Sequence, residues 1–275
     1  MTRRIGLAAL TVLELTPPDM VTCAAHAGYD SIGLRLLPAT AEEVQHSMVG
    51  DTPLVRDTER RLKDTGLPCL DIEIFRLRPD TRIADYRAAL ETGARLGARE
   101  ALVAGDDPEE ARLIDSFAAF CDLARPYGIG VNLEPMPWTD CRTFAQGVRI
   151  VTAADRDNGG VLIDAIHFDR GGSKVTEIAT VPHARLRYMQ LCDAPRERPT
   201  DMKGLLHQAR AERLMPGEGG LDLRGMLQLI PADLPLSLEI PMHALSRTLP
   251  ALERTSRMLA KTRALLQAAS TTSGR

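Results

Sequence analysis

A chain of 275 residues is long enough to bury the core of one α/β unit, and no linker or low-complexity stretch divides it. Its 34 basic and 37 acidic residues leave a net charge of −3, which excludes a global attraction to nucleic acid or to an anionic membrane. Any anionic ligand must be met by local basic groups. Five scattered cysteines with no Cys-x-x-Cys spacing argue against a zinc knuckle and suit reduced thiols in the cytoplasm, and no apolar run reaches membrane-spanning length.

Along the chain, short apolar runs predict eight strands, at 5–9, 31–36, 68–73, 100–104, 130–134, 160–164, 186–191 and 235–239. The first follows two arginines but is soon interrupted by Glu14, so it reads as a strand and not as a leader. Helical segments lie between the strands. The charge run from Arg56 to Asp64 reads as the exposed side of the second helix, and Ile83, Leu90, Ala94 and Leu96 give the third its apolar side. Asp107-Pro-Glu-Glu110 supplies a cap, a first-turn proline and acidic residues for the fourth, which should stop near Pro126-Tyr-Gly128. The sixth, around 173–179, has the weakest pattern. The longest connection, 196–220, contains a helix of its own at about 202–213, and extra length on one face of a barrel serves substrate binding. Leu245, Leu249, Leu252, Leu259 and Leu266 line the last helix. Eight alternations over this length predict a single closed (β/α)8 barrel at 1–267, with a small polar tail, 268–275, expected to be disordered.

Four of these strands end on an oxygen-bearing side chain: Glu134, Asp164, Gln190 and Glu239 close the fifth to eighth. Neighbouring strand tips converge over a barrel mouth, where active sites of this architecture are built. Three carboxylates and an amide oxygen make a hard donor set suited to one Mg2+ or Mn2+, with His167 adding a nitrogen or orienting a ligand or substrate. Any one of them read alone is an ordinary polar strand end. Together, buried carboxylates require a cation or donors to offset desolvation.

On these residues the chain resembles the xylose-isomerase-like TIM-barrel superfamily over nearly its whole length. In that family a strand-five Glu, a strand-six Asp with His three residues on, a strand-seven His or Gln and a strand-eight Glu surround one divalent metal. Glu134, Asp164, His167, Gln190 and Glu239 stand at those places. Within it, Gln190-Leu-Cys-Asp-Ala-Pro195 and Arg210-Ala-Glu-Arg-Leu-Met-Pro-Gly217 are similar to segments of bacterial 3-dehydroshikimate dehydratases, as is Trp138, four residues after Glu134. Asp140 and Arg196 occupy positions where the related ketose epimerases bind sugar hydroxyls. Cys141 and Arg35 depart from the dehydratase pattern, which carries a histidine and an acidic residue there. The resemblance implies a dimer or tetramer.

The chemistry expected of such a set is removal of a proton next to a carbonyl, with Glu134 and Glu239 as acid/base groups and His167 holding a substrate oxygen or protonating a leaving hydroxyl. Loss of a β-hydroxyl would make the chain a dehydratase; return of the proton would make it an epimerase or isomerase. Arg210 and Arg213, three apart on the expected helix, are read as a rim site for an acidic small-molecule substrate, aided by Arg196. Arg35, Glu73 and Arg76 lie at or beyond strand ends and line the pocket or form a loop salt bridge. Two other classes fit the sequence less well. The endonuclease IV group of the same superfamily holds several zinc ions with many histidines, whereas only His167 of six histidines has a strand-tip motif here, and no basic stripe is interleaved with aromatics. A barrel that only binds a metabolite would be expected to have lost one of the ligands.

Overall fold

The computed structural model describes residues 3–272. Its nine strand segments are β1 (Ile5–Leu7), β2 (Ser31–Arg35), β3 (Cys69–Leu77), β4 (Glu100–Gly105), β5 (Gly130–Glu134), β6 (Gly159–Val161), β7 (Ile163–Asp164), β8 (Met189–Leu191) and β9 (Leu236–Leu238). All pair in parallel, in the order β6-β5-β4-β3-β2-β1-β9-β8-β7. β6 and β7 are one strand interrupted at Leu162: the first half pairs with β5 and the second with β8. The sheet therefore comes round to a nearly closed barrel with the eight strand positions that the sequence predicts.

The helices are α1 (Pro17–Ala27), α2 (Pro53–Thr65), α3 (Arg87–Arg95), α4 (Glu110–Ala124), α5 (Phe144–Ala154), α6 (Ala165–Arg170), α7 (Met202–Ala211), α8 (Leu223–Leu229), α9 (His243–Ser246) and α10 (Ala251–Thr272). Their ends follow local chemistry. Thr52 caps α2 by accepting from the Val55 N–H, Pro53 sits in its first turn, and Gly66 ends it at φ 68°, a backbone region costly for residues with a Cβ. Leu113, Phe117, Phe120 and Ala124 form the buried side of α4 and pack on the strands. Ile74, Leu102, Ala104, Met136, Leu162 and Tyr188 form a smaller separate cluster.

Three expectations shift. The sixth helix is not at 173–179, where the chain makes a 3-10 turn (Val175–Thr180); it is α6, which starts directly at the strand tip because the Asp164 carboxylate caps it. α7 ends at Ala211 and so excludes Arg213. β3 runs on to Leu77, which places Glu73 and Arg76 inside a strand. At the other end, α10 continues through Thr272 into the segment read as a tail, and residues 273–275 lie outside the described residues. No described helix is long and apolar enough to cross a membrane.

Candidate metal centre

Parallel pairing aligns the strand tips and so assembles the site. Glu134 ends β5, Asp164 ends β7 in register with Gln190 of β8, and Glu239 follows β9, its N–H bonded to the Leu191 carbonyl. His167 enters from α6, one turn beyond Asp164. Glu134, Asp164, His167 and Glu239 each bring one ligand atom to within 4.8 Å of the others, and all four are buried. His167 Nε2 lies 3.8 Å from Glu134 Oε1, and its Nδ1 lies 3.9 Å from Asp164 Oδ1.

Hydrogen bonds fix two of the three carboxylates. Asp164 Oδ1 accepts from the N–H groups of Ile166 and His167, both at 3.0 Å. Its Oδ2 is 2.6 Å from Nη1 of Arg213, whose Nη2 is 2.7 Å from Glu239 Oε2. Glu239 Oε1 accepts from the Gln190 side-chain amide at 3.0 Å. Glu134 Oε1, Gln190 Oε1 and His167 Nδ1 are buried with no hydrogen-bond partner.

The electrostatics follow from this crowding. Burial holds the Glu134 carboxyl well above its ordinary value, and the nearby Glu239 and Asp164 charges add to the effect. Burial pushes Glu239 up to about 8, with Arg213 restraining the rise and Asp164 and Glu73 adding to it. Burial would also raise Asp164, but Arg213, His167 and the backbone N–H of His167 outweigh it and leave the carboxyl below its usual range. Burial drives His167 down to about 4, so its imidazole is neutral at physiological pH. Three carboxyl groups and a neutral imidazole thus converge, with the Gln190 amide bonded to Glu239 beside them, and two oxygens and a ring nitrogen of these five residues lack partners. That donor set fits a single divalent cation, with Glu134, Asp164 and Glu239 as charged ligands and Gln190 and His167 as neutral ones.

The other expected residues fall into groups. Trp138 stands edge-on to His167 with ring centroids 4.8 Å apart, and the Arg210 guanidinium lies 5.4 Å from the Trp138 ring centre. Arg210 has no carboxylate partner among the described residues; burial depresses its pKa, and Arg76 and Arg35 nearby add to that. Arg35 bonds Glu73 Oε1 at 3.0 Å and Glu43 Oε1 at 2.6 Å, which makes the loop salt bridge the outcome there. Arg76 does the same with Asp106 at 2.5 Å. Asp140 is tied by its backbone to Gly105 and is not part of the ligand cluster. Arg196 is exposed.

Arg213 corrects the sequence reading. Expected on the rim beside Arg210, it is 1% exposed and turned inward, because the helix has ended and Glu212 at φ −142° and ψ 68° redirects the chain. Glu43 and Asp106 gave no signal in sequence; each is an acid in a loop, recognisable only once its arginine partner is placed.

Comparison with known proteins agrees with this architecture. A family model described as xylose isomerase-like TIM barrel matches residues 21–263. A 3-dehydroshikimate dehydratase of Pseudomonas aeruginosa is 27% identical over 84% of the chain, which spans only 37% of that longer protein. An inosose isomerase of Bacillus velezensis is 25% identical over 77% of each chain. A solved structure described as an IOLI protein with a bound zinc atom superposes with a TM-score of 0.75 at 20% identity, covering 98% of both chains, a likeness that speaks for the fold.

Proposed function

Because the chain belongs to the xylose isomerase-like TIM-barrel family, we propose that it is a divalent-cation-dependent enzyme that removes a proton next to a carbonyl of a small, hydroxylated, acidic substrate. The reaction proposed is dehydration of a 3-dehydroshikimate-like compound. The observation that carries the reading is the buried meeting of Glu134, Asp164, His167 and Glu239 at the barrel mouth. Bound there, Mg2+ or Mn2+ would polarise the substrate carbonyl and make the adjacent C–H acidic. Oxygen donors outnumber nitrogen in this set, which favours those ions over zinc.

The remaining roles fall to the chain itself. Glu134, with an unpartnered oxygen, is placed to take the proton. Glu239, held by Arg213 and Gln190, is the second acid/base group. Neutral His167 positions a substrate oxygen, and Trp138 fixes its ring from the side. Arg210 is the cation left to receive an acidic group, since Arg213 is engaged with two carboxylates. The side chains of Glu134, Asp164, His167 and Glu239 are buried from water, which strengthens each electrostatic contact. The five cysteines, all buried and unpaired, support a place in the reducing cytoplasm.

The inosose isomerase relatives favour a second reading, in which the proton returns and the product is an isomer. Incubation with hydroxylated cyclic keto acids and inososes in deuterated water, with Mn2+ present, separates the two. Water loss with a new conjugated absorbance is the expected result. Deuterium uptake without water loss would make the chain an isomerase, and neither change across the panel would end both readings.

A further inference from the structure

Arg213 is fully buried beside the ligand set, and its hydrogen bonds leave it little freedom. Nε donates to the Ala209 carbonyl at 2.7 Å, Nη1 to Asp164 Oδ2 at 2.6 Å and to the Glu239 carbonyl at 3.1 Å, and Nη2 reaches Glu239 Oε2 at 2.7 Å. One guanidinium therefore takes one oxygen from each of two carboxylates of the ligand set. Around it, Arg35 and Arg210 stand against Glu73 and Glu43, and Arg76 against Asp106, while burial, with Glu73 and Glu239 nearby, holds the Asp71 carboxyl well above its ordinary value and so towards its neutral form. With a cation bound and all three carboxyls ionised, Glu134, Asp164 and Glu239 with Arg213 then amount to a net charge of −2, that of one divalent cation with the sign reversed.

Resting on the metal reading above, we propose that Arg213 is a positioning residue that sets the charge of this centre to match a divalent ion, and so makes it discriminate against trivalent ions. The reasoning is Coulombic. A fixed positive charge a few ångströms away opposes a trivalent ion half as much again as a divalent one. Removing it strengthens the binding of both, and that of the trivalent ion more. A merely structural arginine would change overall affinity or folding without moving this ratio.

The test uses chelator-stripped full-length protein at one fixed pH, titrated with Mn2+ by spin resonance and with Tb3+ by emission sensitised through Trp138, the single tryptophan, which lies against His167. The Arg213→Met variant should shift the ratio of the two dissociation constants at least tenfold towards Tb3+, whereas Arg213→Lys, which keeps the charge, should hold the wild-type ratio within about threefold. An unchanged ratio in Arg213→Met, or an equal shift in Arg213→Lys, overturns the proposal. If Arg213→Met does not fold, the Arg213→Met/Glu239→Gln double variant restores the −2 total and is predicted to keep the wild-type ratio; a tenfold shift there overturns it. Wild-type protein that binds neither ion defeats the metal reading itself, whereas binding with an insensitive ratio defeats only the role of Arg213.

Discussion

At Glu134, burial without a hydrogen-bond partner has opposite consequences for stability and for turnover. In the stripped protein burial and the neighbouring Glu239 and Asp164 carboxyls penalise its ionised form, so Glu134→Gln removes that penalty while keeping the shape. Turnover should fall by about 10^3-fold, within the range of a lost general base, while the melting temperature of the stripped protein holds or rises. Substrate turnover by the variant at the wild-type rate would remove Glu134 from the catalytic role. Residue identity at this site was legible because each ligand ends or closely follows an apolar run. Arg213 was not legible in the same way. Helical spacing put it on a face shared with Arg210, and only the break at Glu212 sends it inward to Asp164 and Glu239.

Strands proved more readable than helices because a strand between tight turns leaves a short, bounded apolar run. Helix α6 has six residues, too few to show a period, and its start is set by an aspartate that the strand pattern had already claimed. Asp164 ends β7, caps α6 and faces the candidate metal centre at once. Asp107, expected to cap α4, instead orders the turn before it, since Glu109 takes the cap position and no side chain caps the helix. Asp107 accepts from the Glu109 N–H at 2.9 Å and pairs with Arg112, three residues ahead of the helix, although the sequence began the helix there. The Arg112 hydrogen bond, opposed by burial and aided by the Glu109 N–H, holds this carboxyl below its ordinary 3.8. A depressed carboxyl stabilises the fold above its unfolded pKa and loses that contribution as pH falls through the folded value. Losing these bonds in Asp107→Ala should therefore cost about 1 kcal/mol at pH 7, and the gap to wild type should narrow as pH falls below about 3.8. A denaturant midpoint that differs equally at pH 7 and pH 3 would contradict this account.

Over the whole molecule, the candidate centre joins separate sectors of the barrel: its ligands come from β5, from β7 with α6, from β8 and from just beyond β9. A cation there binds only the folded arrangement, so its removal should be felt globally. At a free concentration of a hundred times Kd, Mn2+ should add about 2.7 kcal/mol, which for a chain of this size is a rise in melting temperature of about 5 °C. Scanning calorimetry of chelated and reloaded protein measures it, and identical melting curves would contradict a bound cation. Closure of the same barrel has a consequence for its synthesis. β1 leaves the ribosome well before its second neighbour, β9, which pairs with it through Leu236 to Leu238. Until that segment emerges, β1 keeps one edge open in a crowded setting where unpaired strand edges recruit foreign chains. With only three residues, β1 offers such partners very little to grip.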